Sequence, residues 1–421
     1  MPLFSPKIES FGIDLSDFSI KISQIKKKGS SLFLTSIGEK FFQEGIVKNG
    51  VINKERESDL VEIIKKTISG VKGKKIKTKN IICSLPEENT FIKTIQIPKV
   101  AESEIREAIE LQLESNFPVK LNNVYFDFEI VDFGAIKKSK IIKKSREKIK
   151  KEDSLDVSVA VISKKVADSY VSVFKKAGLQ PMAFEIEPMA AIRSLISNSF
   201  TLKPVMILDM GKGGTGVTIF SGKTILFTSH ISISGNDLDK IISKSLKIHI
   251  NEAEKMKKDV GLLSIKKIKK KSKEEMLSLP RFKVYRVPVA KEKELKNQKS
   301  AVAEIDLTKL EKADQVFEAL VPILTDLIEQ IRHHIQYFGG LSGVKYVHKG
   351  KISKIIVCGG EANLIGITDF ISSSLKLPVE IGNPFVNIQQ SRLAKKILGS
   401  NLQRGSLPYA TAIGLAIRGA E

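Results

Sequence analysis

A strand–turn–strand unit whose first strand ends on an aspartate occurs twice in this chain. No other feature limits its possible folds so strongly. The first copy is Phe11–Leu15, carrying Asp14, followed by strands over 19–25 and 32–37 with Lys28-Gly29-Ser30 turning between them. The second is 205–209, ending on Asp209, then a glycine-rich turn, Met210-Gly211-Lys212-Gly213-Gly214-Thr215, and strands over 216–220 and 224–233. A meander repeated at this distance predicts two related halves, each built on its own sheet. Two such hairpins can close on a phosphate chain from opposite sides. Backbone N–H groups in tight turns point at phosphate oxygens, and glycine lets the backbone approach without a Cβ in the way. A carboxylate beside each turn suits Mg²⁺ held through water, because that ion dehydrates reluctantly.

The first meander is followed by an amphipathic helix, Glu57–Ser69, with Leu60, Ile63, Ile64 and Ile68 at helical spacing, and by a buried strand, Asn80–Leu85. From 86 to 180 the pattern changes. A strand over 91–97 precedes a helix over 103–117 with Ile105, Ile109, Leu113 and Phe117 on one face. Strands over 125–131 and 155–162 follow, then a helix over 164–177 closed by Gly178. These predict a β-α-β-β-α unit inserted into the first half. After the second meander come helices over 237–246 and 251–260. A long helix over 310–338 follows, which Pro322 should kink or begin. A buried strand, Lys354–Cys358, then runs into the turn Gly359-Gly360 and a helix over 364–375, and 410–417 reads as a core helix. The expected division is 1–85 for the start of the first half, 86–180 for the insertion with a basic loop at 134–154, and 181–421 for the rest with a basic insertion at 262–300.

Composition narrows the class. The 421 residues are 42% hydrophobic and 28% charged, which suits a soluble globular protein of several domains. No apolar run reaches the roughly 20 residues of a membrane span, and the amino terminus does not resemble a signal peptide, so a cytoplasmic location is expected. Cys83 and Cys358 each end an apolar run and read as core residues. The five histidines fall in no metal-ligand spacing. The net charge of +22 is concentrated: 137–153 holds nine Lys/Arg against three acids, and 262–300 thirteen against four. Both read as solvated loops. An anionic membrane surface is the next reading, and nucleic acid the least favoured, since no aromatic platform accompanies the charge.

The chain resembles the actin-like ATPase superfamily through D-x-x-x-x-x-x-K (Asp14 to Lys21), D-x-G-x-x-x-T (Asp209, Gly211, Thr215) and the late Gly359-Gly360. Over nearly its whole length it is similar to the PilM family of type IV pilus assembly proteins, related to FtsA. The match rests on Phe11-Gly12-Ile13-Asp14, Ile97-Pro98, Asn116-Phe117-Pro118, Glu187-Pro188, Gly235-Asn236-Asp237, Ala253-Glu254 with Lys257, Cys358-Gly359-Gly360-Glu361-Ala362, Asn383-Pro384-Phe385 and Ala412-Ile413-Gly414-Leu415-Ala416. The resemblance implies an α/β fold of two ribonuclease-H-like halves with a small inserted α+β subdomain, binding ATP and Mg²⁺. Asp14 and Asp209 would hold Mg²⁺ through water and Lys21 would reach the phosphates. Ser16 and Gly235 would line the nucleotide, and the backbone of Gly211, Gly213, Gly214 and Thr215 would cradle phosphate. Glu254 and Lys257, at i and i+3 of one helix, would meet ribose and adenine, and Gly359 and Gly360 would lie under the adenine. The bland alternative for Glu254 and Lys257 is a surface ion pair. The implied function is a cytoplasmic adaptor, peripheral at the inner face of the membrane. It would dock the cytoplasmic amino-terminal tail of a PilN-like protein in a type IV pilus or type II secretion platform, with the inserted unit forming part of the groove. A homo-oligomer stays open.

The first loop departs from the family pattern. It reads Asp14-Leu15-Ser16-Asp17-Phe18-Ser19, with Ser16 where a glycine is expected, a second carboxylate at Asp17 and a bulky Phe18. Weak binding and at most slow ATP hydrolysis follow from that. Three alternatives remain: an FtsA-like membrane-tethering division protein, disfavoured because no amphipathic tail follows 410–417; a small-molecule kinase, for which no catalytic carboxylate stands out; and a degenerate scaffold that binds no nucleotide.

Overall fold

Both meanders form, and each becomes one wing of a separate mixed sheet. The computed structural model describes residues 9–131, 154–262, 307–340 and 351–421, so the two lysine-rich stretches lie almost wholly outside the described residues. In the first half, β1 (Phe11–Leu15), β2 (Ser19–Lys28) and β3 (Ser31–Phe41) pair antiparallel in sequence order. A small hairpin of β4 (Val47–Lys48) and β5 (Val51–Ile52) precedes α1 (Glu57–Ser69), followed by β6 (Lys72–Gly73) and β7 (Asn80–Leu85). β7 lies parallel to β1, Phe11 opposite Ile81. All five residues of β1 are buried, as expected of a central strand covered on both faces.

The chain then leaves this sheet to build the insertion: β8 (Thr90–Pro98), α2 (Ile105–Asn116), β9 (Val124–Ile130) and β10 (Ser154–Ser163). These strands form their own sheet in the order β8-β10-β9, and Ile105, Ile109 and Leu113 of α2 pack on Ile95, Val157 and Val159. The next helix, α3 (Lys164–Lys176), corrects the expected boundary. Its Val166, Tyr170, Val173 and Phe174 pack with Phe11, Ile13, Leu60 and Ile64, in the core of the first half and not on the inserted sheet. β11 (Gln180–Ile186) then joins β7 in parallel. The insertion therefore ends near residue 163, short of 180. Helical periodicity shows that α3 has an apolar face but does not say which sheet covers it.

α4 (Glu187–Leu195) crosses to the second half, where β12 (Thr201–Met210), β13 (Thr215–Gly222) and β14 (Thr224–Ile231) form the second meander. After it come α5 (Gly235–Leu246), α6 (Ile250–Val260) and α7 (Leu307–Gly340). Pro322 lies inside α7, which continues as one helix on both sides of it, so Pro322 does not begin the helix. β15 (Lys354–Cys358), α8 (Ile367–Leu375) and β16 (Val379–Ile381) add two parallel strands. The second sheet, β14-β13-β12-β15-β16, thus repeats the β3-β2-β1-β7-β11 order of the first, antiparallel on one side of the central strand and parallel on the other.

The chain closes with α9 (Arg392–Leu398), α10 (Leu402–Ser406) and α11 (Ala410–Arg418). α11 is buried from Ala410 to Ile417, wedged between β1 and α4. The fit depends on missing Cβ atoms: one at Gly414 would overlap the Ala190 carbonyl, and one at Gly12 would overlap that of Ala412. Arg193 of α4 grips Glu185 of β11 through two hydrogen bonds, 2.5 and 2.6 Å, and reaches the Gly414 carbonyl at 3.4 Å. Cys83 and Cys358 are free and buried. Among the described residues no helix is long and apolar enough to cross a membrane.

Candidate functional site

The register of each hairpin decides what stands beside its aspartate. Asp14 on β1 lies opposite Lys21 on β2, and directly paired residues on antiparallel strands share a face. Asp209 on β12 lies opposite Gly216 on β13 and, on its other side, beside Cys358 of β15. The two hairpins face each other across a cleft of about 540 Å³, within the ~300–1,000 Å³ range of ligand sites. Asp14, Ser16, Lys21, Asp209, Gly211, Gly213, Gly214, Glu254, Lys257, Gly359 and Gly360 all line it. Thr215 and Gly235 are set back, on a small recess of about 10 Å³ behind the second loop. The Thr215 hydroxyl donates to the Ile233 carbonyl, 2.9 Å, so it does not face the cleft.

The carboxylates are held at a cost. Burial raises the pKa of Asp14, opposed by Lys21 and by a 3.0 Å hydrogen bond from Ser84 Oγ. Burial and the Asp14 charge raise Asp209 to about 6, against Lys21 and a hydrogen bond with Cys358. Two further carboxylates share this ground. Glu187, at the start of α4, is pushed well above the usual carboxylate range by burial and then by Asp14, Glu88, Glu87 and Asp209. Glu87, in the short turn after β7, is pushed up by burial, Glu88 and Asp209. It rests against Gly216, where an added Cβ would lie 2.8 Å from Glu87 Oε2, and its Oε1 finds no hydrogen-bond partner among the described residues. So many carboxylates about one lysine favour a bound cation. No three acidic, histidine or cysteine side chains among the described residues are placed to ligate a metal together. An ion placed beside Asp14 and Asp209 would therefore have to fill its shell with water and with oxygens of a ligand. Sequence reasoning assigned Glu87 no role, because nothing local marks a residue that acts across the seam. Glu187-Pro188 entered the sequence reading only as part of the family resemblance; its proline could have marked a helix start, but the charges that act on Glu187 come from both halves.

The second loop leaves several of its amides unspent. Gly211 N–H closes the turn on the Gly214 carbonyl, 2.8 Å, and no hydrogen bond among the described residues uses the N–H of Lys212, Gly213 or Gly214. At the far wall Gly359 adopts φ +85° and packs on Asp209 and Met210 so closely that a Cβ there would overlap both. Gly360 has open space where a Cβ would be. Glu254 and Lys257 share α6 but do not pair. Glu254 takes Lys258, 2.6 Å, and Lys212, 3.6 Å. Lys257 is fully buried, 2.9 Å from both Asp239 of α5 and Glu361 of the Gly359-Gly360 turn, and donates to the Gly235 carbonyl at 3.1 Å. It fastens α5, α6 and the glycine turn together instead of offering a free ammonium group. The surface ion pair weighed as the bland alternative does not form: Lys257 is taken by Asp239 and Glu361, and Glu254 turns to Lys258, one turn along the same helix.

A sequence model described as type IV pilus assembly protein PilM matches residues 12–267, more than half of the chain. The chain belongs to the PilM family. A second model, cell division protein FtsA, matches 206–414. The FtsA of Neisseria meningitidis serogroup B is 23% identical over 242 residues, 57% of this chain and 49% of that protein. The FtsA of Bacillus subtilis is 27% identical over 99 residues, 24% of this chain and 22% of that protein. The alignments thus span half or less of the FtsA relatives. A solved PilM-PilN type IV pilus biogenesis complex is similar in structure with a TM-score of 0.71 at 18% identity, covering 99% of this chain and 100% of that one. At that identity the likeness speaks for the fold, and the fold is the actin-like α/β architecture that the PilM family shares with FtsA.

Proposed function

We propose that this PilM-family chain is a nucleotide-loaded adaptor in a type IV pilus or type II secretion platform. It binds an adenine nucleotide with Mg²⁺ in the cleft and docks the cytoplasmic amino-terminal tail of a PilN-like inner-membrane protein at the membrane's inner face. The observation that carries the nucleotide half is the facing pair of hairpins: carboxylates from both halves about Lys21, with a glycine loop whose N–H groups are open to the cleft. The residues fit such a ligand. Mg²⁺, when bound, would neutralise phosphate charge between Asp14 and Asp209. Lys21 and the amides of Gly213 and Gly214 would orient phosphate, Glu254 would meet the ribose, and Gly359 and Gly360 would leave room for the base. Lys257 and Thr215 would hold those elements in place from behind. The tail-docking half is supported by the family and by the full-length likeness to a PilM solved with PilN.

Titrating the purified chain with nucleotide and Mg²⁺, beside Asp209→Ala, tests the first half; saturable binding that the substitution abolishes is expected. The second half is tested by capture on immobilised amino-terminal peptides of PilN-like and division-ring membrane proteins. Retention on a division peptide alone would replace the pilus reading with the FtsA-like one that the match over 206–414 keeps in view.

A further inference from the structure

The first phosphate loop touches the second. A Cβ at Gly213 would lie 3.1 Å from Phe18 Cε2, 3.2 Å from its Cδ2 and 3.9 Å from Asp17 Cβ. The Phe18 ring therefore sits on the glycine at the tip of the loop that offers its amides to phosphate. Resting on the nucleotide reading above, we infer that Phe18 sets the number of phosphates this site accepts, so that the cleft takes a nucleoside diphosphate in preference to the triphosphate.

The ring is held there by its surroundings. Asp17 accepts hydrogen bonds from the N–H groups of Asn49, 2.6 Å, and Gly50, 2.9 Å. Gly50 is itself anchored, its carbonyl accepting the buried Tyr170 hydroxyl at 3.1 Å. The Phe18 carbonyl accepts Phe42 N–H at 3.0 Å. On the near side Ser16 N–H bonds the Ser19 carbonyl at 2.9 Å, and Ser19 N–H turns back to Ser16 Oγ at 3.3 Å. The backbone is thus tied on both sides of Phe18, and two amides of the loop are spent within it.

All of these residues line one cleft, so a phosphate chain that starts from the Gly359-Gly360 wall and passes between Asp14 and Asp209 would run toward the place where the two loop tips meet. A diphosphate would take the amides of Gly213 and Gly214 with its last phosphate and leave the Phe18–Gly213 contact in place. A third phosphate would have to displace the ring from Gly213 and would come nearer to Asp17, which lines the same cleft and whose carboxylate is tied to the 49–50 turn. Steric exclusion and charge act in the same direction, which is how a site rejects one ligand while leaving a smaller one undisturbed.

Calorimetric titration of the full chain with MgADP and with Mg-AMPPNP, a triphosphate that is not cleaved, tests this directly. Wild type is expected to bind MgADP at least about ten-fold more tightly, equivalent to ~1.4 kcal/mol. Phe18→Gly is expected to tighten Mg-AMPPNP about ten-fold or more and to change MgADP less than about three-fold, while Phe18→Leu keeps the wild-type preference. Equal or tighter binding of Mg-AMPPNP by wild type overturns the inference without any variant. So does a Phe18→Gly protein in which both ligands change alike. Both results leave the nucleotide site standing; absence of binding by either ligand removes the nucleotide reading and this inference together.

Discussion

Asp209 carries the sharpest consequence of the cleft. Its pKa rises from an ordinary 3.8 to about 6, so the fold holds a proton there that the unfolded chain has already lost. A carboxyl raised in this way costs stability once ionised. The cost is absent below about pH 4, grows as pH rises, and is complete above about pH 6. At about 1.4 kcal/mol per unit the ceiling is ~3 kcal/mol, and less in practice because Asp209 is partly open to the cleft. Asp209→Asn is expected to make the ligand-free protein more stable at pH 7.5 than wild type and to flatten the pH 4–6 dependence, while abolishing Mg-nucleotide binding. Urea denaturation at pH 5 and 7.5 reads the first effect and calorimetry the second. Lys257 and Glu254 should separate cleanly as well. Lys257→Met leaves the buried Asp239 and the partly buried Glu361 without their cation and should cost about 3–5 kcal/mol. Glu254→Ala breaks only half-exposed pairs, with a stability cost of under about 1 kcal/mol, yet weakens nucleotide binding.

Among the elements, α11 is the one on which the seam depends. It returns from the end of the chain to pack on β1 and α4, and its tolerance is set by two glycines. Gly414→Ala forces a methyl into the Ala190 backbone, so a loss of about 1–3 kcal/mol or more is expected in a denaturant titration. Gly360→Ala is the matched control. It meets open space, so stability should change by less than about 0.5 kcal/mol, and weaker nucleotide binding without a stability loss would mark the Gly359-Gly360 wall as ligand-facing. If Gly414→Ala unfolds no more easily than Gly360→Ala, α11 is not the wedge described.

For the whole molecule, the carboxylates of the two halves repel one another across the cleft, and the proposed cation with phosphate would relieve this. Ligand that binds only the folded chain stabilises it by about 2.7 kcal/mol at one hundred times its Kd. Thermal melts with nucleotide and Mg²⁺ together should therefore rise well above those with either alone, and chelation should remove the gain. A nucleotide-induced rise that survives chelation would argue against a water-held Mg²⁺ between Asp14 and Asp209.

Most of the strands and helices, the two aspartate hairpins and the glycine loop were legible in the sequence because each rests on short-range periodicity, turn chemistry and spacing, whereas the strands Gln180–Ile186 and Val379–Ile381 and the helix Glu187–Leu195 were not. Alternation and turn residues marked the arms that put Asp14 beside Lys21 and Asp209 at a strand end. What lies across a seam left no local trace. Glu87 reaches Gly216, Lys257 is taken by Asp239 and Glu361, α3 leaves the insertion for the first core, and Phe18 comes to rest on Gly213. These pairings join residues far apart in the chain, and their energies come from burial and from charges sharing a poorly solvated cleft. The sequence by itself determined that two related halves would each present an aspartate and a turn. Only the tertiary structure decided which carboxylates share one cleft, which lysine faces them and how much room the loops leave, because those depend on how the two sheets are brought together.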